Sequence, residues 1–101
     1  MPVLCVVANV HADPEKADLV RSELEKLVAP TRAEPGCLQY DLHTHNDDPA
    51  HFVFYERWES RDHWLAHMDT PHVDAYREAI AGGAVESFSL DELTRVETPS
   101  A

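Results

Sequence analysis

Residues Phe52 to Tyr76 read F-V-F-Y-E-R-W-E-S-R-D-H-W-L-A-H-M-D-T-P-H-V-D-A-Y. Phe52, Phe54, Glu56 and Trp58 recur at every second position, the period of a strand, and Ser60 followed by a polar-apolar run marks a helix start. Thr70-Pro71 then predicts a second helical piece, with Thr as cap and Pro at the first position, where its missing N–H is harmless. That piece runs through Val73, Tyr76 and Ile80 and stops at Gly82-Gly83. The unit carries both tryptophans and sets a glutamate into an aromatic strand, so chemistry is expected here.

Working outward, His51 to Trp58 is preceded by turn residues Asn46-Asp47-Asp48-Pro49-Ala50 and by an alternating run from Cys37 to His45. Leu38, Tyr40 and Leu42 share one face of that run and Gln39, Asp41 and His43 the other, as in a half-buried edge strand closing a hairpin. Val3 to His11 is a strand with apolar residues at both parities, so both of its faces need cover. Asp13-Pro14 starts a helix in which Val20, Leu24, Leu27, Val28 and Thr31 share a face. Pro30 is expected to kink or end its regular part, and Glu34-Pro35-Gly36 closes it. Val85 to Val96 reads as a last strand, irregular between Leu90 and Leu93, followed by a frayed polar tail at 97–101.

The order strand, helix, strand, strand, broken helix, strand predicts an α+β fold: a ferredoxin-like split βαβ domain spanning 1–101, with a four-stranded antiparallel sheet. Both helices would cover one sheet face. The other face carries apolar residues from the first and third strands, which predicts a homodimer packed sheet on sheet.

Composition narrows the partners. Nineteen acidic against eight basic residues give a net charge of -11, which argues against nucleic acid or an anionic membrane surface and favours a neutral or cationic small molecule. Cys5 and Cys37 form neither a zinc motif nor a disulfide framework; reduced thiols and the lack of a leader or membrane-spanning pattern lead us to expect a cytoplasmic protein.

Glu56 has two readings: an ion pair with Arg57 of the partner subunit, Arg77 or Arg95, or a perturbed acid acting as base or ligand clamp. His67 and His72 can exchange protons near neutral pH. Trp64, flanked by His63 and His67, suits a pocket wall for a planar aromatic ligand, and Trp58 suits the core or the same pocket. Asn9, at the polar end of the first strand, can bind a substrate oxygen. His11, His43, His45 and His51 fall at one sheet edge and would bind metal only if three converged; no metal site is expected. No phosphate loop or nucleophile elbow is present.

Glu34-Pro35-Gly36-Cys37-x-x-Tyr40, Tyr55-Glu56-x-Trp58-x-Ser60 and Leu65-x-His67-x-x-Thr70-Pro71-His72 together resemble the antibiotic biosynthesis monooxygenase family of dimeric α+β barrels, and the H-x-x-T-P-H segment resembles its quinol monooxygenase branch. The resemblance implies oxidation of a quinol or polycyclic phenol by molecular oxygen, without flavin, metal or other cofactor. It implies that Trp58 lies at the active site, as in polyketide-oxidising members, although Phe54 and Trp64 replace their asparagine and tyrosine. Haem-degrading members are matched only near Asn9, with His67 and Arg77 at their other positions. An isomerase of a phosphorylated signalling sugar shares the T-P-H segment. We therefore expect His67 or His72 to take a phenolic proton, Asn9 or Tyr76 to bind the oxyanion, and Trp64, Phe54, Trp58 and Glu56 to hold the ring. The rival is a non-catalytic small-molecule-binding dimer on the same scaffold.

Overall fold

The computed structural model describes residues 3–98. Four strands, β1 (Leu4–Ala12), β2 (Cys37–His45), β3 (Asp48–Trp58) and β4 (Val85–Leu93), form one antiparallel sheet in the order β2-β3-β1-β4. A short 3-10 turn (Pro14–Lys16) leads into helix α1 (Ala17–Arg32), and α2 (Arg61–His67) and α3 (Pro71–Ala79) sit between β3 and β4. This is the expected split βαβ topology, with β2 at an edge.

The local signals act mostly as read. Asp13 Oδ1 accepts from the Glu15 N–H, but the turn it caps is 3-10 before becoming α-helical. Ser60 Oγ accepts from the His63 N–H and starts α2. Thr70 departs from expectation: its hydroxyl donates backwards to the His67 carbonyl at 2.8 Å, tying the end of α2 to the start of α3. Pro30 does not end α1, which continues to Arg32; it lies in the last turn, where one missing N–H forfeits one helical bond. β4 pairs with β1 without a break from Cys5↔Leu93 to His11↔Ser87, so the irregularity expected between Leu90 and Leu93 is absent, and the strand ends at Leu93. Of the expected frayed tail, residues 97 and 98 are exposed, and 99–101 lie outside the described residues.

Alternation decides the layers. Val6, Ala8, Val10 and Ala12 of β1 and Phe52, Phe54, Glu56 and Trp58 of β3 point to the helices and are buried. They pack against Val20, Leu24 and Leu27 of α1 and Val73 of α3. Trp58, with 0% exposure, is the largest fully buried side chain. On the opposite face Val7, Asn9, His11, Val53 and Tyr55 remain half-exposed. Among the described residues no helix is long and apolar enough to cross a membrane.

Candidate active site

Between the helices and the sheet lies a cavity of about 450 Å³. Its walls are mostly apolar: Ala8 and Val10 from β1, Leu24 and Leu27 from α1, Phe54 from β3, Val73 from α3 and Leu90 from β4. Phe88, 57% exposed, borders it at the β4 edge. Into this apolar space come the polar side chains of Tyr40, Glu56, His67, Tyr76 and Arg77. A few placed polar groups in an apolar concavity are the usual composition of a small-molecule site.

His67, the last residue of α2, is buried, with its ring beside Trp58 (centroids 5.1 Å apart) and edge-on to Tyr40 (5.6 Å). Its Nδ1 lies 2.7 Å from Glu34 Oε2. An N–H donated there fixes the tautomer and leaves Nε2 with a free lone pair, the arrangement in which a carboxylate orients a basic imidazole. Burial lowers the imidazole's proton affinity, and the bond to Glu34 offsets this only in part, so the ring is neutral at pH 7. Glu34 itself sits in the loop after α1, where its N–H bonds the Thr31 carbonyl at 3.0 Å. The same Oε2 also lies 2.7 Å from Nε2 of His72, on the first turn of α3.

Glu56 is 4% exposed and lines the cavity. Burial pushes its carboxyl up to about 7, although the Trp58 indole N–H, donated to Oε1 at 3.0 Å, pulls the other way; the negative charge of Glu34 adds to the rise. Among the described residues no arginine bonds it. Arg57 Nε donates to Gln39 Oε1, and Arg77 Nη1 to the Met68 carbonyl and Asp74. Among the described residues Glu56 therefore has no ion pair with Arg77 or Arg95, and its carboxyl is raised by burial. Burial pushes the Tyr76 phenol up to about 12 and raises Tyr40 further, so both remain hydrogen-bond donors at neutral pH.

Of the eight residues expected at the site, Phe54, Glu56, His67 and Tyr76 border the cavity. His72 stands behind His67, joined to it through Glu34. Trp58 is core, and reaches the cavity only through its bond to Glu56. Trp64 is not a pocket wall: it is buried apart from the cavity, with its Nε1 unpartnered and the Arg61 guanidinium 5.9 Å from its ring centre. Asn9 is on the wrong side of the sheet, because odd-numbered β1 residues face away from the helices; its Oδ1 lies 2.9 Å from His51 Nε2. There His11 and His45 stack on His51, with centroids 4.0 and 5.0 Å away. Sequence reasoning misses Glu34 and Tyr40 as site residues, though both stand in the E-P-G-C-x-x-Y segment. Two strong breakers beside Glu34 hide a half-buried acid inside what reads as a loop.

The antibiotic biosynthesis monooxygenase family model matches residues 3–79. The chain belongs to this family. Within it, the chain is 31% identical over 94 residues to the probable quinol monooxygenase YgiN of Escherichia coli K12, covering 83% of this chain and 90% of that protein. It is 30% identical over 98 residues to Rv0793 of Mycobacterium tuberculosis, covering 97% and 96% of the two chains; the solved structure of Rv0793 superposes with a TM-score of 0.85. The crystal structure of PA3566 from Pseudomonas aeruginosa, 33% identical, superposes with a TM-score of 0.91 over 96% of this chain and 97% of that one. Such similarity across the antibiotic biosynthesis monooxygenase family supports an oxidoreductase that acts on a small molecule.

Proposed function

We propose that this protein is a cofactor-independent monooxygenase that oxidises a quinol or polycyclic phenol with molecular oxygen. The observation that carries the reading is His67: a buried, neutral imidazole bordering an apolar cavity, its Nδ1 held by Glu34. The similarity to a probable quinol monooxygenase supports the substrate class.

The substrate ring lies against Phe54 and the aliphatic walls. Nε2 of His67 takes a phenolic proton, and the resulting phenolate, conjugated and electron-rich, is the reductant for oxygen. A ring carbon bonds one oxygen atom, and the O–O bond then breaks with the second atom leaving as water. The quinol supplies all the electrons: two are lost as quinol becomes quinone and two in forming the new C–O bond. Protonated His67 and Glu56, whose carboxyl titrates at about 7, return protons to the departing oxygen. The Tyr76 hydroxyl, held protonated, donates to the developing oxyanion. Apolar walls keep water from the intermediate.

A second copy of the chain is part of this reading. The open sheet face, with Val7, Val53 and Tyr55 half-exposed, needs cover, and a sheet-on-sheet homodimer supplies it. The two free cysteines suit a reducing, cytoplasmic setting. Net charge -11 disfavours nucleic acid or an anionic lipid surface as partner. Oxygen-electrode assays of the purified protein with a panel of quinols test the activity. One molecule of oxygen consumed per quinol in the presence of a metal chelator is the expected result. Ligand-induced stabilisation with no oxygen uptake across the panel points instead to a binding protein.

A further inference from the structure

Three side chains of metal-ligating chemistry converge behind the cavity wall. Glu34 Oε2, His67 Nδ1 and His72 Nε2 lie within 4.8 Å of one another, and both nitrogens are 2.7 Å from the same oxygen. They come from three separate segments: the loop after α1, the last residue of α2 and the first turn of α3. Each is fixed from outside the group. The Glu34 N–H is tied to the Thr31 carbonyl, and the His67 carbonyl takes the Thr70 hydroxyl. Pro71 sets the start of the helix that presents His72. The three side chains are 6 to 20% exposed, most of all His72, so the group is shielded but reachable from solvent.

One hydrogen bond donated to Glu34 is enough to orient His67. A second imidazole aimed at the same oxygen atom is surplus to that task, whereas three donors closing on one point, with a side open to water, match a divalent ion bound by two imidazoles and a carboxylate. We propose that Glu34, His67 and His72 form a binding site for one divalent transition-metal ion of the Zn2+ class. Around a tetrahedral ion with bonds of about 2.1 Å the ligand atoms stand roughly 3.4 Å apart, so the two 2.7 Å O···N contacts open by about 0.7 Å when the ion enters. An ion on Nδ1 moves the His67 proton to Nε2, the atom proposed to act as base. Bound metal therefore stops turnover, a consequence that rests on the function proposed above, whereas binding itself does not.

The test reads binding without turnover. Zn2+ is titrated into the chelator-treated protein by calorimetry, and crystals soaked in Zn2+ are examined by anomalous diffraction. The expected result is one ion per chain, with an anomalous peak between the three side chains. His72→Ala should weaken that binding by more than about 10-fold, a scale that even outer-shell losses reach. His72→Gln is the second variant if His72→Ala fails to fold. The stacked His11, His45 and His51 are the competing source of affinity on this chain. A His11→Ala, His51→Ala variant should keep the site. No Zn2+ binding, binding indifferent to both His72 variants, or a peak only at the stacked histidines would overturn the proposal. A site that binds Zn2+ in a protein that consumes no oxygen would leave it standing and remove only the inhibition.

Discussion

The indole N–H of Trp58 donates to Oε1 of Glu56 at 3.0 Å, two positions along the same strand, and both side chains are almost wholly shut off from solvent. This is the polar contact that the structure gives the buried carboxyl. It holds the oxygen in place without supplying a countercharge, and burial therefore dominates.

Stability should fall as pH rises because of Glu56. Its carboxyl titrates near 4.5 when unfolded and at about 7 when folded, so the folded state binds the proton more tightly. The contribution is fully present below the unfolded value and is lost as pH rises through the folded one. Over that window the loss is of order 3 kcal/mol, at ~1.4 kcal/mol for each pH unit between the two values. Glu56→Gln keeps an acceptor for Trp58 but cannot ionise. Thermal melts at about pH 5 and about pH 8 should therefore show a smaller drop for the variant than for the parent. An equal drop in both would remove Glu56 as the cause.

Glu34 acts on the reaction through His67 and is a positioning residue. Glu34→Gln preserves the shape and a hydrogen-bond acceptor but removes the charge that favours one tautomer. We expect kcat with a quinol to fall about 10-fold to 100-fold while KM changes little, as for an interaction needed only when the proton moves. A change confined to KM would place Glu34 in ligand binding.

Gly36 has φ +83, and a Cβ added there would run into the His63 ring. Its carbonyl also accepts from the Glu59 N–H at 2.8 Å, fastening the loop that carries Glu34 to the end of β3. Gly36→Ala should cost about 2 kcal/mol or more from backbone strain and the clash together. Chemical denaturation checks this: a loss below about 0.5 kcal/mol, the scale of an inert surface change, would show that the loop adapts freely.

Strand alternation and the breakers Asp13-Pro14, Ser60 and Thr70-Pro71 make the topology legible, because each acts within a few residues of itself. The site is only half legible for the opposite reason. Glu34 meets His67 and His72 across more than thirty positions of chain, a contact that no local pattern encodes. Asn9 is misplaced by its sequence because β1 is apolar at both parities, which leaves open which face meets the helices. Trp58 reads as core or pocket and is core, whereas Trp64 reads as the better pocket wall; its actual position depends on how α2 rotates against the sheet.

Steady-state oxygen uptake by the parent protein and by His67→Ala, with the same quinol and under chelation, tests most directly whether His67 is the base of a cofactor-free oxidation. We expect uptake by the parent and a loss of about 100-fold or more in kcat for the variant, the scale of an oriented general base, with quinol binding retained in both. Full turnover by His67→Ala, or no uptake by the parent with any quinol, would contradict it.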